Sequence, residues 1–144
     1  MNKLLLTVSL VAGMYCISNS TTTFAQKSPT PLQQTTISKN IQTSVIRSIG
    51  AQENTVEIDT SPKIFTVKRV NSNMNMSTHE GRNSEAKEIA SSVAAGLLDQ
   101  LEFKEIITIR VEYLARSAAA DESKTVDSVE FRKGLDGVFD FHQT

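Results

Sequence analysis

The sequence predicts a small α+β protein. We expect a two-layer sandwich in the order α-β-β-α-β-β(-β), with the helices packed on one face of a mostly antiparallel sheet. Two observations predict this class: a helical pattern of apolar residues lies in the middle of the chain, and segments that alternate apolar with polar residues lie on both sides of it. The length of 144 residues suits one domain around one core.

The first 25 residues have the pattern of an export signal. Lys3 supplies a positive start, residues 4–17 form an apolar run, and Thr23-Phe24-Ala25 offers small residues at the positions that a signal peptidase reads. We therefore predict cleavage before Gln26 and a periplasmic or extracellular location. The apolar run is shorter than the roughly 20 residues that a membrane span needs. In style, this leader resembles those of exported proteins of Gram-negative bacteria.

Two alternatives to a cleaved leader stay open. Lipoprotein processing would cut the chain just before Cys16, but it needs small residues ahead of the cysteine, and Met14 and Tyr15 stand there. An uncleaved membrane anchor is opposed only by the cleavage pattern at residues 23–25. Because Cys16 is the only cysteine, cleavage leaves a disulfide-free mature chain.

The charge distribution argues against nucleic acid as a partner. The whole chain has a formal net charge of −1, and its basic residues never cluster beyond pairs such as Lys68-Arg69. Nucleic-acid binding usually needs a concentrated basic face. Since no second long apolar run follows the leader, we expect no membrane insertion of the mature chain.

Residues 26–36 are predicted to be a flexible linker, and residues 37–144 a single α+β domain. The linker is composed mainly of Ser, Thr, Gln and Pro, and Pro29 and Pro31 oppose regular structure there.

A first helix is predicted over residues 37–49, where apolar residues recur at helical spacing. Thr35 or Thr36 is suited to the N-cap, and Gly50 to the stop.

The next two segments predict a β-hairpin. Residues 55–59 alternate apolar with polar side chains, residues 64–70 are rich in β-branched and aromatic types, and Ser61-Pro62 between them is a turn signal. In the second strand Phe65 and Val67 share one face, but the other face is not purely polar. Such a strand is either partly covered on both sides or has a far face that meets another chain.

A second helix is predicted over residues 86–98 from an apolar stripe with steps of three and four. A charge at Val93 should therefore be severely destabilising. Asn83 or Ser84 fits the N-cap, while the capping-box spacing of Ser77 and Glu80 allows an earlier start.

The clearest strand pattern in the chain is the strict alternation over residues 107–113. Residues 117–124 are predicted to form a loop, and residues 129–141 a C-terminal hairpin that turns at residues 134–137. A strand, a helix and a strand in succession favour a parallel crossover. An antiparallel return remains the alternative, because periodicity does not distinguish the two.

The polar stretch before the second helix is the candidate binding site. Asn75, Ser77, His79 and Arg82 crowd there, where the unpaired amides of a helix start favour anions. These residues would form a small pocket for an acidic or sugar-like ligand. The alternative is a solvated loop whose Asn and Ser residues make local turns and cap the helix.

The sequence offers little support for catalysis or for a cofactor. A metal site needs three or four ligands, whereas the chain has only His79 and His142, far apart, and no serine lies in a nucleophile elbow. We predict no metal and no cofactor.

The sequence therefore favours a small exported, non-catalytic binding or interaction module of the bacterial envelope. Its partner would be a protein or a small polar ligand, and homo-oligomerisation stays open. We expect strand 64–70 or hairpin 129–141 to leave an apolar patch for a partner. The alternative is a small hydrolase or lyase in which His79 acts as the base and Arg82 or Asn75 holds the substrate.

Overall fold

The computed structural model describes residues 31–117 and 122–141. Four strands form one mixed sheet in the order β1-β2-β3-β4, and two helices pack against it. The elements are α1 (Pro31–Ile49), β1 (Val56–Thr60), β2 (Ile64–Val70), α2 (His79–Leu97), β3 (Thr108–Arg116) and β4 (Ser123–Arg132). The predicted α+β fold is therefore present.

Helix α1 begins six residues earlier than the sequence predicts. It starts at Pro31, so residues 31–36, the second part of the predicted linker, are helical. The physical reason is that proline is well tolerated in the first turn of a helix, where its missing N–H costs no hydrogen bond. The predicted leader, residues 1–25, and the rest of the predicted linker, residues 26–30, lie outside the described residues.

The C-terminal end of α1 is as predicted. The helix ends at Ile49, and Gly50 follows with φ of 60°. Glycine adopts this left-handed conformation without the steric cost that a Cβ brings.

The sheet combines two antiparallel pairs with one parallel pair. β1 and β2 form the predicted hairpin, and β3 and β4 are also antiparallel. β2 and β3 run parallel, from the pair Ile64 and Thr108 to the pair Val70 and Leu114, with α2 as the connection. The crossover alternative is therefore the one that the chain adopts.

Helix α2 starts at His79, and Thr78 is its N-cap, with a side-chain oxygen that accepts a hydrogen bond from Gly81 N at 3.1 Å. The predicted N-cap at Asn83 or Ser84 is therefore wrong, and the helix starts close to the earlier alternative, with Thr78 as the N-cap in place of Ser77. At its other end Leu98 is the C-cap and is 70% exposed, although the apolar stripe predicted that it would be buried.

The C-terminal hairpin is only partly formed. After β4 the chain reverses and pairs once, at Lys133 and Phe139, instead of forming a further strand. The aromatic rings hold the returning chain, since Phe139 is buried and Phe141 lies 5.6 Å from Phe131. In the predicted loop 117–124, residues 118–121 lie outside the described residues, and β4 already begins at Ser123.

One hydrophobic core lies between the helices and the sheet. Its fully buried members from the sheet alternate along the strands: Val56, Phe65, Val67, Ile109, Val111, Tyr113 and Phe131. The opposite sheet face carries charged pairs, for example Lys68 with Asp59 at 3.1 Å and Arg110 with Glu130 at 2.6 Å. On the far face of β2, Thr66 and Val70 are buried while Ile64 and Lys68 are half-buried, so this strand leaves no exposed apolar patch.

Among the helices that the structure describes, none has the length and apolarity to cross a membrane.

Candidate functional site

The core-facing side of the sheet becomes polar beside the first turns of α2. The strand register places Arg69, Tyr113 and Asp127 in one row across β2, β3 and β4. Arg69 pairs with Glu85 of α2 at 2.9 Å, and Asp127 pairs with Arg82 of α2 at 2.7 Å. Two ion pairs thus connect the layers on either side of Tyr113, where apolar contacts would otherwise be expected.

His79 joins the second of these pairs. Its Nδ1 lies 2.7 Å from Asp127 Oδ2, the same oxygen that accepts the hydrogen bond from Arg82 Nε. We call His79, Arg82 and Asp127 the Asp127 cluster. Burial opposes the ionisation of Asp127, but hydrogen bonds from Arg82, His79 and the Ser128 N–H outweigh it and lower the pKa of this carboxyl.

Arg82 also holds the loop between β2 and α2. Its Nη1 donates to the carbonyl oxygen of Ser77 and, at 3.5 Å, to that of Met74. The Tyr113 hydroxyl in turn donates to the Arg82 carbonyl at 2.8 Å. Most of the polar capacity of Arg82 is therefore used within the fold, which is the behaviour of a positioning residue.

The chemistry open to His79 is limited by its surroundings. A histidine beside a carboxylate can act as a base, because the carboxylate orients the ring. The His79 side chain is, however, 71% exposed, and Asp127 is already shared with Arg82. The second histidine of the sequence, His142, lies outside the described residues.

The four predicted site residues do not form one pocket. His79 and Arg82 meet at Asp127, while Ser77 contributes its carbonyl oxygen to Arg82. Asn75 turns away toward β3, where its Nδ2 donates to the Leu114 carbonyl at 2.9 Å.

A polar cavity of about 460 Å³ lies between the end of α1, β2 and the first half of the β2–α2 loop. We call it the Arg69 cavity. Its polar lining includes Gln52, Thr55, Arg69, Ser72, Asn73 and Glu85. The Ser72 residue is only 7% exposed, and its hydroxyl has no hydrogen-bond partner among the described residues.

Arg69 is fixed in the wall of this cavity by its neighbours. Its Nε donates to Glu85, and its Nη1 donates to the hydroxyl of Thr55 at 2.8 Å and to the carbonyl of the same residue at 3.4 Å.

The sequence analysis did not predict this cavity, although one signal for it was present. Arg69 falls on the same strand face as Phe65 and Val67, and a charge on a core-facing position needs a partner inside the protein.

A second concave surface lies at the opposite end of α2. This apolar groove, of about 400 Å³, runs between the C-terminal end of α2 and the reversal after β4. Its apolar lining includes Leu97, Leu98, Leu101, Val138, Phe139 and Phe141. Lys104 and Lys133 also line it, and Lys133 Nζ lies 5.0 Å from the centre of the Phe139 ring.

The described part of the chain contains no group of three or more His, Cys, Asp or Glu side chains that could hold a metal ion. Comparisons of the chain with protein-family models, with curated proteins and with solved structures find no match.

Proposed function

We propose that the protein is a non-catalytic interaction module that binds another protein through the apolar groove. The observation that carries this proposal is the exposure of three large apolar side chains around one concave surface: Leu98 at 70%, Leu101 at 63% and Val138 at 61%. Single exposed apolar residues are ordinary, but a contiguous exposed patch is typical of a binding surface.

The exposure of Leu98 and Leu101 is a consequence of the local backbone structure. The segment after α2 turns at Asp99, which has φ of 63°, and then buries Phe103 and Ile106 in the core. The same segment nevertheless leaves Leu98 and Leu101 in solvent. A chain that is well anchored by its neighbours and still presents two leucines is suited to contact a partner.

The charges beside the groove indicate the chemistry of that partner. Lys104 and Lys133 line the groove together with Asp99, which gives a local excess of positive charge in a chain whose net charge is −1. Electrostatic complementarity then favours a protein segment whose apolar residues are flanked by Asp or Glu. The Lys133 side chain already covers the Phe139 ring, so an acidic group placed there would also meet an ordered cation.

The setting that suits this role is the bacterial envelope. The leader pattern of residues 1–25 predicts export, and the mature chain needs no disulfide, because its only cysteine precedes Gln26. Expression in a Gram-negative host followed by intact-mass measurement would test this part. A periplasmic product that begins at Gln26 supports it, and an unprocessed cytoplasmic product contradicts it.

Binding can be tested with a phage-displayed library of random peptides against the purified protein. We expect the enriched peptides to combine apolar residues with flanking Asp or Glu. Leu101→Asp should weaken the best peptide by about tenfold or more, since it places a charge in the apolar lining. Paired charge reversal, Lys104→Glu with Lys133→Glu, should also weaken it and reduce the salt dependence of binding.

Met76→Asp is the matched control. Met76 is 93% exposed but lies just before the start of α2, about 28 Å from the groove along a 19-residue helix. It should leave peptide binding unchanged. Enrichment of basic peptides, equal effects of the two aspartates, or a concentration-dependent dimer that Leu101→Asp disperses would each overturn the proposed partner.

The contact between His79 and Asp127 is the observation that favours the alternative, a small hydrolase or lyase. Binding is the better-supported role because the His79 side chain is 71% exposed and its partner Asp127 is already shared with Arg82. Hydrolysis of a panel of chromogenic esters and glycosides that is lost in His79→Gln would reverse this ranking.

A further inference from the structure

We propose that the Arg69 cavity is a second binding site, for a small uncharged ligand rich in hydroxyl groups, such as a monosaccharide or another polyol. This site is separate from the apolar groove. The cavity lies at the N-terminal end of α2 and the groove at its C-terminal end. Ligand binding in the cavity and protein binding in the groove can therefore be tested independently.

The unpartnered hydroxyl of Ser72 is the first reason. Ser72 lines the cavity, is more than nine-tenths buried, and has no hydrogen-bond partner for its Oγ among the described residues. Buried polar atoms in native proteins nearly always have a partner, because leaving water without one is unfavourable. A hydroxyl from a ligand in the cavity would give Ser72 both a donor and an acceptor.

The charges in the wall select the class of ligand. Arg69 and Glu85 both line the cavity, and each uses only part of its hydrogen-bonding capacity on the other. Arg69 donates to Glu85 and Thr55, and the Glu85 carboxylate also lies beside the Tyr113 hydroxyl, so the cavity wall presents a pair of opposite charges with no net charge. A net anion would be repelled by Glu85 and a net cation by Arg69. A hydroxyl group can accept a hydrogen bond from Arg69 and donate one to Glu85, and thus satisfies both.

The remaining lining suits a sugar ring. Gln52 and Asn73 are neutral amides that can donate to and accept from hydroxyl groups, while Ile49, Ala51 and Met74 supply apolar surface for the C–H face of a ring. The volume of about 460 Å³ lies within the range of roughly 300–1,000 Å³ that is common for small-molecule sites.

Isothermal titration of the purified chain with neutral sugars tests the proposal. The probes are glucose, galactose, N-acetylglucosamine and inositol, with inorganic phosphate and arginine as charged comparators. We expect at least one neutral probe to bind and neither comparator to do so. In NMR spectra the bound probe should shift the amides of Gln52, Ser72 and Asn73 and leave those of Leu101 and Val138 in place.

Ser72→Ala separates a ligand role from a structural one. We expect it to weaken the bound sugar about tenfold while leaving the thermal midpoint of the ligand-free protein unchanged or raised, because it removes a buried hydroxyl without a partner. Ser91→Ala, at an exposed position on α2, is the matched control and should change neither quantity.

Three outcomes would overturn the proposal. Phosphate could bind more tightly than every neutral probe, which would make this an anion site. A second such outcome is that no neutral probe binds at millimolar concentration. Ser72→Ala could lower the thermal midpoint, which would mean that the hydroxyl serves the fold. The groove variant Leu101→Asp should leave sugar binding unaffected, so that failure of one proposal is distinguishable from failure of the other.

Discussion

Asp127 lies on the core-facing side of β4 and accepts hydrogen bonds from two residues of α2, Arg82 and His79. The other two carboxyl groups with a lowered pKa, Glu57 and Glu130, are held instead by arginines of β3 on the far face of the sheet. Asp127 therefore differs from them in joining the helix layer to the sheet layer. The side chains of Asp127 and Arg82 are 15% and 12% exposed, so solvent screens this ion pair only weakly.

The first prediction concerns Asp127→Asn. The folded-state pKa of Asp127 is lowered, so the ionised carboxyl stabilises the protein at pH values above its unfolded pKa of about 3.9. This contribution is lost as the pH falls through the lowered folded value. We expect the variant to lose about 1–3 kcal/mol of unfolding free energy at neutral pH and the gap to the wild type to narrow in acid.

Urea unfolding from pH 7 to pH 2 measures this gap. Glu88→Gln, on the exposed face of α2, is the control and should follow the wild-type curve. A gap that stays constant over the whole pH range would show that the ionised form of Asp127 contributes nothing.

Residue patterns indicated only part of the candidate site. The polar loop drew attention to His79 and Arg82, but their common partner Asp127 lies 45 residues or more along the chain, in another strand. Periodicity shows that Arg69 shares a strand face with Phe65. It does not show which of the sixteen acidic residues will face that arginine, because this depends on how α2 lies across the sheet.

At the scale of elements, α2 shows why helix starts are hard to locate. The buried stripe, Ala86, Ile89, Ala90 and Val93, begins only at the eighth residue of α2, whereas the first turns meet the sheet through ion pairs. A search for apolar periodicity therefore finds the helix but begins it too late. The same limit applies to α1, whose first residues also lack an apolar stripe.

The packing of α1 on α2 gives the second prediction. A Cβ at Gly96 would lie 2.6 Å from Cγ1 of Ile41, a buried residue of α1. Alanine normally stabilises a helix by about 1 kcal/mol relative to glycine. Here we expect Gly96→Ala to destabilise the protein by about 1–3 kcal/mol instead, because the helices must move apart.

A double-mutant cycle in urea tests that explanation. In the Ile41→Ala background the space at residue 96 is open, so Gly96→Ala should become neutral or stabilising. Equal effects of Gly96→Ala in both backgrounds would rule out the close approach of the two helices as the cause.

The third prediction addresses the buried face of α2. Val93 has no exposed surface and lies in the core, so Val93→Asp should cost more than about 4 kcal/mol, a large part of the net stability of a small domain. Ser91→Asp, on the exposed side of the same helix, should change stability by less than about 0.5 kcal/mol. Similar circular-dichroism melting curves for the two variants would contradict the observed orientation of α2.

At the scale of the whole molecule, the layer architecture and the β1–β2 hairpin followed from the sequence, but the direction of β3 relative to β2 did not. Amphipathic periods show which residues face inward, and this determines that helices cover a sheet. Whether β2 and β3 run parallel depends on the path of α2 between them, and both paths bury the same residues. The partial C-terminal hairpin is a related case, because ring packing by Phe139 and Phe141 replaces backbone pairing that the alternation alone suggested.

The sheet order leads to the last prediction. β2 and β3 are paired on both sides, whereas β1 and β4 are edge strands of the described sheet. An amide in the centre of the sheet can exchange only when the molecule unfolds extensively, while edge strands and the single pair between Lys133 and Phe139 can open locally.

In native-state hydrogen exchange we therefore expect the amides of Val67 and Val111 to give opening free energies equal to the global free energy of unfolding measured in urea. Amides beyond Arg132 should open at much lower cost. Equal protection of β4 and β3 would mean that another part of the chain covers the β4 edge, and the groove beside it would then be a less accessible surface than its exposed leucines indicate.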